Sequence, residues 1–321
     1  MNLTRLLKIG GAALLVPAVL TVAPYLIPLP RRRAVVAESL AEAADRFVEV
    51  DGVRVRYRMK GAGTPLVMLH GFASSLVTWR KNFDDLARDH QVIALDLKGW
   101  GLSDKPKDSD YSLAAQADLV RGVLRALNIE RAIIVGHSMG GATAMHFAVR
   151  HPAATRGLVL VASAGARHFP LLQAARVGLQ IPPLRRWMKL GIEYGLASDA
   201  LLSAGMPTSY YDARHLTPQL VADLIAPLRT EGFPDALLGM VRDLGKARLH
   251  GRVSEIVAPT LLIWGEHDPL IQRADGEMLR RRLPQAELVV LARAGHLPHE
   301  ERAEDVNHMI REFVKTVVSS Q

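Results

Sequence analysis

The stretch Val135-Gly136-His137-Ser138-Met139-Gly140-Gly141 decides the fold. Before it, Arg131-Ala132-Ile133-Ile134-Val135 reads as a short buried strand, because it is a β-branched apolar run. After it, Ala142 to Arg150 reads as a helix. A turn this tight between strand and helix forces its central residue into a strained backbone conformation. Gly136 and Gly140 leave room for that, since a Cβ at either place would crowd the turn. The strain lifts the Ser138 hydroxyl clear of the sheet edge and sets it at a helix N-terminus, where developing negative charge is stabilised. Those are the needs of a nucleophilic serine.

A serine hydroxyl is a poor nucleophile at neutral pH. It needs a base, and the base needs an orienting acid. For this type of turn the chain order is Ser, then Asp or Glu, then His. Downstream, Pro259 to Trp264 reads as a strand, followed by Gly265-Glu266-His267-Asp268-Pro269. Ala286 to Leu291 reads as another, followed by Ala294-Gly295-His296-Leu297-Pro298. Both loops open on the edge of a parallel sheet where such folds place their sites. His296 is therefore the expected general base and Asp268 its orienting partner. The nearest competitors read otherwise. His299 is expected at the surface or at a helix entry, Glu266 to pair locally, His267 as a loop residue, and Asp96 to hold its own loop by hydrogen bonds.

Acyl transfer builds negative charge on a carbonyl oxygen, which two aimed backbone N–H groups stabilise. One is expected from Met139, the residue after the nucleophile. The other is expected from Phe72, in the loop His70-Gly71-Phe72-Ala73 that follows the strand Pro65 to Leu69.

Around these loops strands alternate with helices. Arg46–Val50 and Val53–Met59 flank Asp51-Gly52, a hairpin signal. Apolar strand runs then recur at 66–69, 92–95, 132–135 and 158–161, with helical stretches between them. The alternation implies an α/β fold, a mainly parallel sheet with helices on both faces. It breaks from about residue 165 to 250, a Leu-, Met-, Gly- and Pro-rich stretch read as an inserted helical cap, and resumes at Pro259. The expected organisation is residues 1–33 as an N-terminal anchor, 34–45 as a linker, 46–164 and 251–321 as the two parts of the core, and 165–250 as the cap.

Together, His70-Gly71-Phe72, Asp96-Leu97-Lys98-Gly99-Trp100-Gly101-Leu102-Ser103, Gly136-His137-Ser138-Met139-Gly140-Gly141, Gly265-Glu266-His267-Asp268 and Gly295-His296 resemble the α/β-hydrolase superfamily. The resemblance runs from about Phe47 to Val318. Its motifs are specific to fold and triad and unspecific about substrate. An N-terminal anchor and a short cap resemble the membrane-anchored, monoacylglycerol-lipase-like esterases within it. The haloalkane dehalogenase and epoxide hydrolase branches place Asp at the nucleophile position, so Ser138 argues against both.

The composition narrows the rest. With no cysteine in 321 residues there is no disulfide framework, thiolate metal site or cysteine nucleophile. The net charge of +8 is uneven: no Asp or Glu lies between Arg131 and Ile192, while Arg150, Arg156, Arg167, Arg176, Arg185, Arg186 and Lys189 do. Aromatics at 5% lack the interleaving that single-strand nucleic-acid binding needs, so anionic lipid is the expected partner of this basic face. Ile9 to Pro30 is 22 residues without a charge, flanked by Arg5 and Lys8 and by Arg31-Arg32-Arg33. That is long enough to span a bilayer core of roughly 30 Å. Thr21-Val22-Ala23 loosely matches a signal-peptide cleavage site, but Pro24 blocks it. The expectation is a single-pass membrane protein, its side of the membrane open. The expected activity is serine hydrolysis of carboxylic esters with an apolar, lipid-like acyl chain, with no cofactor or metal. C–C bond hydrolysis, perhydrolysis and acyl transfer by the same triad stay open, as does a catalytically silent binding protein.

Overall fold

The structure is a computed structural model describing residues 20–30, 34–166, 170–196, 198–243, 249 and 251–319. Among the described residues, eight strands form one sheet in the order β1-β2-β4-β3-β5-β6-β7-β8. They are β1 Arg46–Val50, β2 Val53–Lys60, β3 Pro65–Leu69, β4 Gln91–Leu95, β5 Ala132–His137, β6 Thr155–Val161, β7 Thr260–Gly265 and β8 Ala286–Leu291. The first two make the expected hairpin, with Asp51 at φ 49° and Gly52 at φ 74° in its turn. β2 pairs antiparallel with β4, and all remaining pairs are parallel.

The continuous apolar runs of the central strands follow from burial on both faces. Side chains alternate across the sheet, so β3 sends Leu66 and Met68 one way and Val67 and Leu69 the other. Leu66 and Met68 join a core closed by Leu86, Val306 and Ile310, from helices Arg80–Leu86 and Ala303–Ser319. Val67 and Leu69 join a second core closed by Leu119, Phe147 and Leu279, from helices Leu113–Ala126, Met139–Arg150 and Arg273–Arg282. Parallel pairing leaves the carboxyl ends of β3, β5, β7 and β8 on one edge. The loops carrying Phe72, Ser138, Asp268 and His296 all leave from that edge.

Between β6 and β7 the described residues form helices and no strand. Two of them, Pro182–Leu196 and Phe233–Asp243, pack around a small apolar cluster of Leu179, Leu238 and Val241 with Met188 and Ile192.

The N-terminal expectations need correction. Among the described residues no helix is long and apolar enough to cross a membrane. Of the uncharged run, residues 9–19 lie outside the described residues, as do Arg31, Arg32 and Arg33. Residues 20–26 are helical, about 10 Å at 1.5 Å per residue. The helix ends there because Pro28 and Pro30 lack the N–H groups that would continue it. Its freed carbonyls are satisfied by the cap. Arg186 donates to the carbonyls of Pro24 and Ile27, Trp187 Nε1 to that of Leu20, and Tyr194 to that of Pro28. The segment is thus a strap on the cap, and the reading of a single-pass anchor with membrane as partner and location is not upheld. The basic face expected to meet anionic lipid is partly engaged inside the molecule, with Arg186 on the strap and Lys189 paired to Asp235 at 2.6 Å. The linker also docks on the cap, through Val35 N–H to the Arg229 carbonyl at 3.1 Å.

Candidate active site

Ser138 sits at φ 52° and ψ −115° as the N-cap of helix Met139–Arg150. Non-glycine residues avoid this region, at a cost of about 1–3 kcal/mol, unless their surroundings over-determine it. Here they do. Ser138 N–H donates to the Val161 carbonyl at 3.0 Å, and the Ser138 carbonyl accepts from Gly141, Ala142 and Ala164. The flanking glycines are required by close approach. A Cβ on Gly136 would strike the Gly140 carbonyl, and one on Gly140 would strike the carbonyls of Leu69 and His70.

Asp268 and His296 come from separate loops, 28 residues apart, and meet at 2.8 Å through Oδ2 and Nδ1. Both are buried. The other Asp268 oxygen accepts from the N–H groups of Leu270 and Ile271, each at 2.9 Å. A carboxylate held this way fixes the Nδ1–H tautomer of His296 and leaves Nε2 free to accept a proton.

The residue before the serine ties the two loops together. His137 Nε2 donates to the His296 carbonyl at 2.9 Å, which fixes its tautomer too. Its ring packs against those of His296 and His299, with centroids 4.8 Å and 4.5 Å away. Burial holds its pKa well below the usual histidine value, and the neighbouring His299 and His296 push the same way, so it stays neutral.

The Phe72 loop runs against this turn. A Cβ on Gly71 would lie 2.8 Å from His137 Nδ1 and 3.2 Å from the Ser138 Cβ, so only glycine lets the backbone pass so close. His70 accepts from Leu97 N–H at Nε2 and donates from Nδ1 to the Gly71 carbonyl, pinning the loop start. Phe72 is 42% exposed, and its ring packs edge-on against Trp100, 5.0 Å between centroids. Met139 is buried at the start of the helix.

Asp96 accepts from the N–H groups of Leu76 and Leu102 and pairs with Arg56, holding its loop as the sequence implies. Glu266 lies 3.5 Å from His267, whose ring stacks on Tyr211. His299 does sit at a helix entry, in the short helix Pro298–Glu301, but it is fully buried and not superficial. Its Nε2 meets the Thr78 hydroxyl at 2.9 Å, its ring packs on Trp79, and burial pulls its pKa down to about 3. Sequence reading also passed over Glu300 and Glu301, which are buried just after the histidine loop. Two adjacent glutamates after a Pro-His pair look like an ordinary acidic helix start, and no sequence signal marked them. Among the described residues, no group of three or more His, Cys, Asp or Glu is arranged to hold a metal ion.

With the fold and this geometry in place, the chain belongs to the alpha/beta hydrolase fold family, whose model matches residues 64–303. It is an enzyme of the esterase and hydrolase type. Among curated relatives it is 33% identical over 283 residues to the dihydrolipoyllysine-residue acetyltransferase component of the acetoin cleaving system of Cupriavidus necator, covering 86% of this chain and 71% of that protein. It is 30% identical over 277 residues to 2-hydroxymuconate semialdehyde hydrolase of Pseudomonas sp. strain CF600, covering 84% and 93%. Among solved structures it is similar to a membrane phospholipase A described as a bacterial virulence factor. That match has a TM-score of 0.70 and 26% identity, covering 98% of this chain and 97% of that one. The word membrane belongs to that protein. In this chain the narrower resemblance to membrane-anchored, monoacylglycerol-lipase-like esterases does not hold, since no described helix can cross a membrane.

Proposed function

We propose that the enzyme hydrolyses carboxylic esters with an apolar acyl chain by a Ser138–His296–Asp268 mechanism. The carrying observation is the strained Ser138 turn, tied by the His137–His296 hydrogen bond to an imidazole whose tautomer Asp268 fixes. In this reading Ser138 Oγ attacks the ester carbonyl while His296 Nε2 takes its proton. The N–H groups of Phe72 and Met139 hold the oxyanion, worth roughly 3–4 kcal/mol for one donor. His296 then protonates the departing alkoxide, giving the free alcohol and an acyl-Ser138. Water, deprotonated by the same imidazole, attacks the acyl-enzyme, releases the acid and restores the serine. The likeness to a phospholipase A supports a lipid-like acyl group.

The test is a p-nitrophenyl ester series from acetate to laurate, followed by a monoacylglycerol and a phospholipid in micelles. The reading expects kcat/KM to rise with acyl length and the lipid esters to be turned over. A clear preference for acetate with inert lipids contradicts the apolar acyl assignment. The semialdehyde hydrolase relative supports a second substrate class, small unsaturated semialdehyde acids. Turnover of that substrate with the whole ester series inert replaces the first reading.

A further inference from the structure

We propose that Glu301 is a positioning residue, which sets the general base by tying its loop to one segment of the cap. This rests on His296 acting as the base. The Glu301 side chain is buried, and its carboxylate bridges two parts of the chain. Oε1 accepts from Gly295 N–H at 2.7 Å, immediately before His296. Oε2 accepts from Tyr211 N–H at 2.8 Å and Asp212 N–H at 3.1 Å, in the cap. The same cap segment reaches the base directly, because the Ser209 carbonyl accepts from His296 N–H at 2.8 Å. Glu300 completes the grip. It accepts from the Tyr210 hydroxyl at 2.8 Å while it is held by Arg80 and Thr78 on the core side.

Two consecutive glutamates thus bind three consecutive cap residues, Tyr210 to Asp212, and one of them also binds the base loop. The fit is tight: a Cβ on Gly295 would meet Tyr211 N at 2.6 Å and the Ser209 carbonyl at 2.8 Å. The His296 backbone is consequently located by the cap at its N–H and by His137 at its carbonyl. The imidazole inherits that position. Glu301 touches neither substrate nor reacting atoms in this account. It acts through the aim of His296, where a displacement of about 1 Å is enough to cost on the order of 10²-fold in rate.

Glu301→Gln separates this role from simple support. A carboxamide keeps one acceptor oxygen and replaces the other with an NH2 donor, which then faces a backbone N–H. It cannot serve both sides of the bridge. Kinetics on p-nitrophenyl butyrate are normalised to serines titrated by a fluorophosphonate, with His296→Ala run in parallel. For folded Glu301→Gln we expect kcat per titrated serine to fall about 10- to 100-fold, with KM within about threefold, since substrate contacts are untouched. Glu301→Asp keeps both acceptors but is one methylene short, and is expected to fall between Gln and wild type. A wild-type kcat per titrated serine in Glu301→Gln overturns the proposal. So does an activity loss matched by serine that stays unlabelled after labelling is run to completion, which marks a structural role only. If Glu301→Gln does not fold, a wild-type kcat in Glu301→Asp overturns it equally. An active His296→Ala refutes the triad reading itself, whereas an inactive His296→Ala beside a normal Glu301→Gln refutes only this inference.

Discussion

Ser138 occupies a backbone conformation that glycine would adopt without strain, held there by four backbone hydrogen bonds. Ser138→Gly is therefore expected to raise stability by about 1 kcal/mol, as relief of strain outweighs the greater unfolded-state freedom of glycine. It is also expected to abolish ester hydrolysis. Urea denaturation and an ester assay check both halves, and a destabilised variant contradicts the strain argument. Asp268 tests the imidazole. In Asp268→Asn one oxygen can still accept from Leu270 and Ile271, so the fold should survive. The amide NH2 then faces His296 Nδ1 and selects the wrong tautomer. The expected loss in kcat is on the order of 10³–10⁴-fold, less complete than for His296→Ala, with an unchanged melting temperature.

The helix Met139–Arg150 can approach the sheet only because Gly140 has no side chain. Its Cβ would meet backbone carbonyls of Leu69 and His70, which cannot move aside cheaply. Gly140→Ala is expected to cost about 1–3 kcal/mol, read from the denaturation midpoint. The strands and crossover helices were legible in sequence because burial on both faces leaves continuous apolar runs, and the Ser138 turn because its glycines are sterically demanded. The N-terminal run was misread for a related reason. Hydropathy counts apolar residues, but it cannot register that Arg186, Trp187 and Tyr194 supply the donors for carbonyls freed at the prolines. His299 and Glu301 were illegible because their burial arises from contacts with residues far away in sequence, Thr78 and Tyr211 among them. The strap makes its own prediction. Arg186→Ala removes two bonds to it, so limited proteolysis within residues 20–30 should accelerate, with a stability change of about 0.5–1.5 kcal/mol per bond. An unchanged cleavage rate contradicts the docking.

Across the whole molecule, several histidines are buried in neutral form behind the site. His299 is held at about 3 and His137 well below the usual value, both chiefly by burial, and His146 is held at about 4 for the same main reason. The unfolded chain binds protons at these positions below pH about 6.5 and the folded one does not. Stability is therefore full above that pH and is lost as pH falls toward the folded values, by up to about 1.4 kcal/mol per pH unit for each such group. The urea midpoint should drop steadily from pH 6.5 to 4.5, and His299→Gln should flatten the slope. A midpoint independent of pH in that window contradicts the neutral histidine core. Activation of Ser138 by His296 is read from fluorophosphonate labelling followed by peptide mass spectrometry. A single phosphonylated peptide modified at Ser138 is expected, with a labelling rate at least about 10²-fold slower in His296→Ala. Modification elsewhere, or undiminished labelling of Ser138 in that variant, would contradict it.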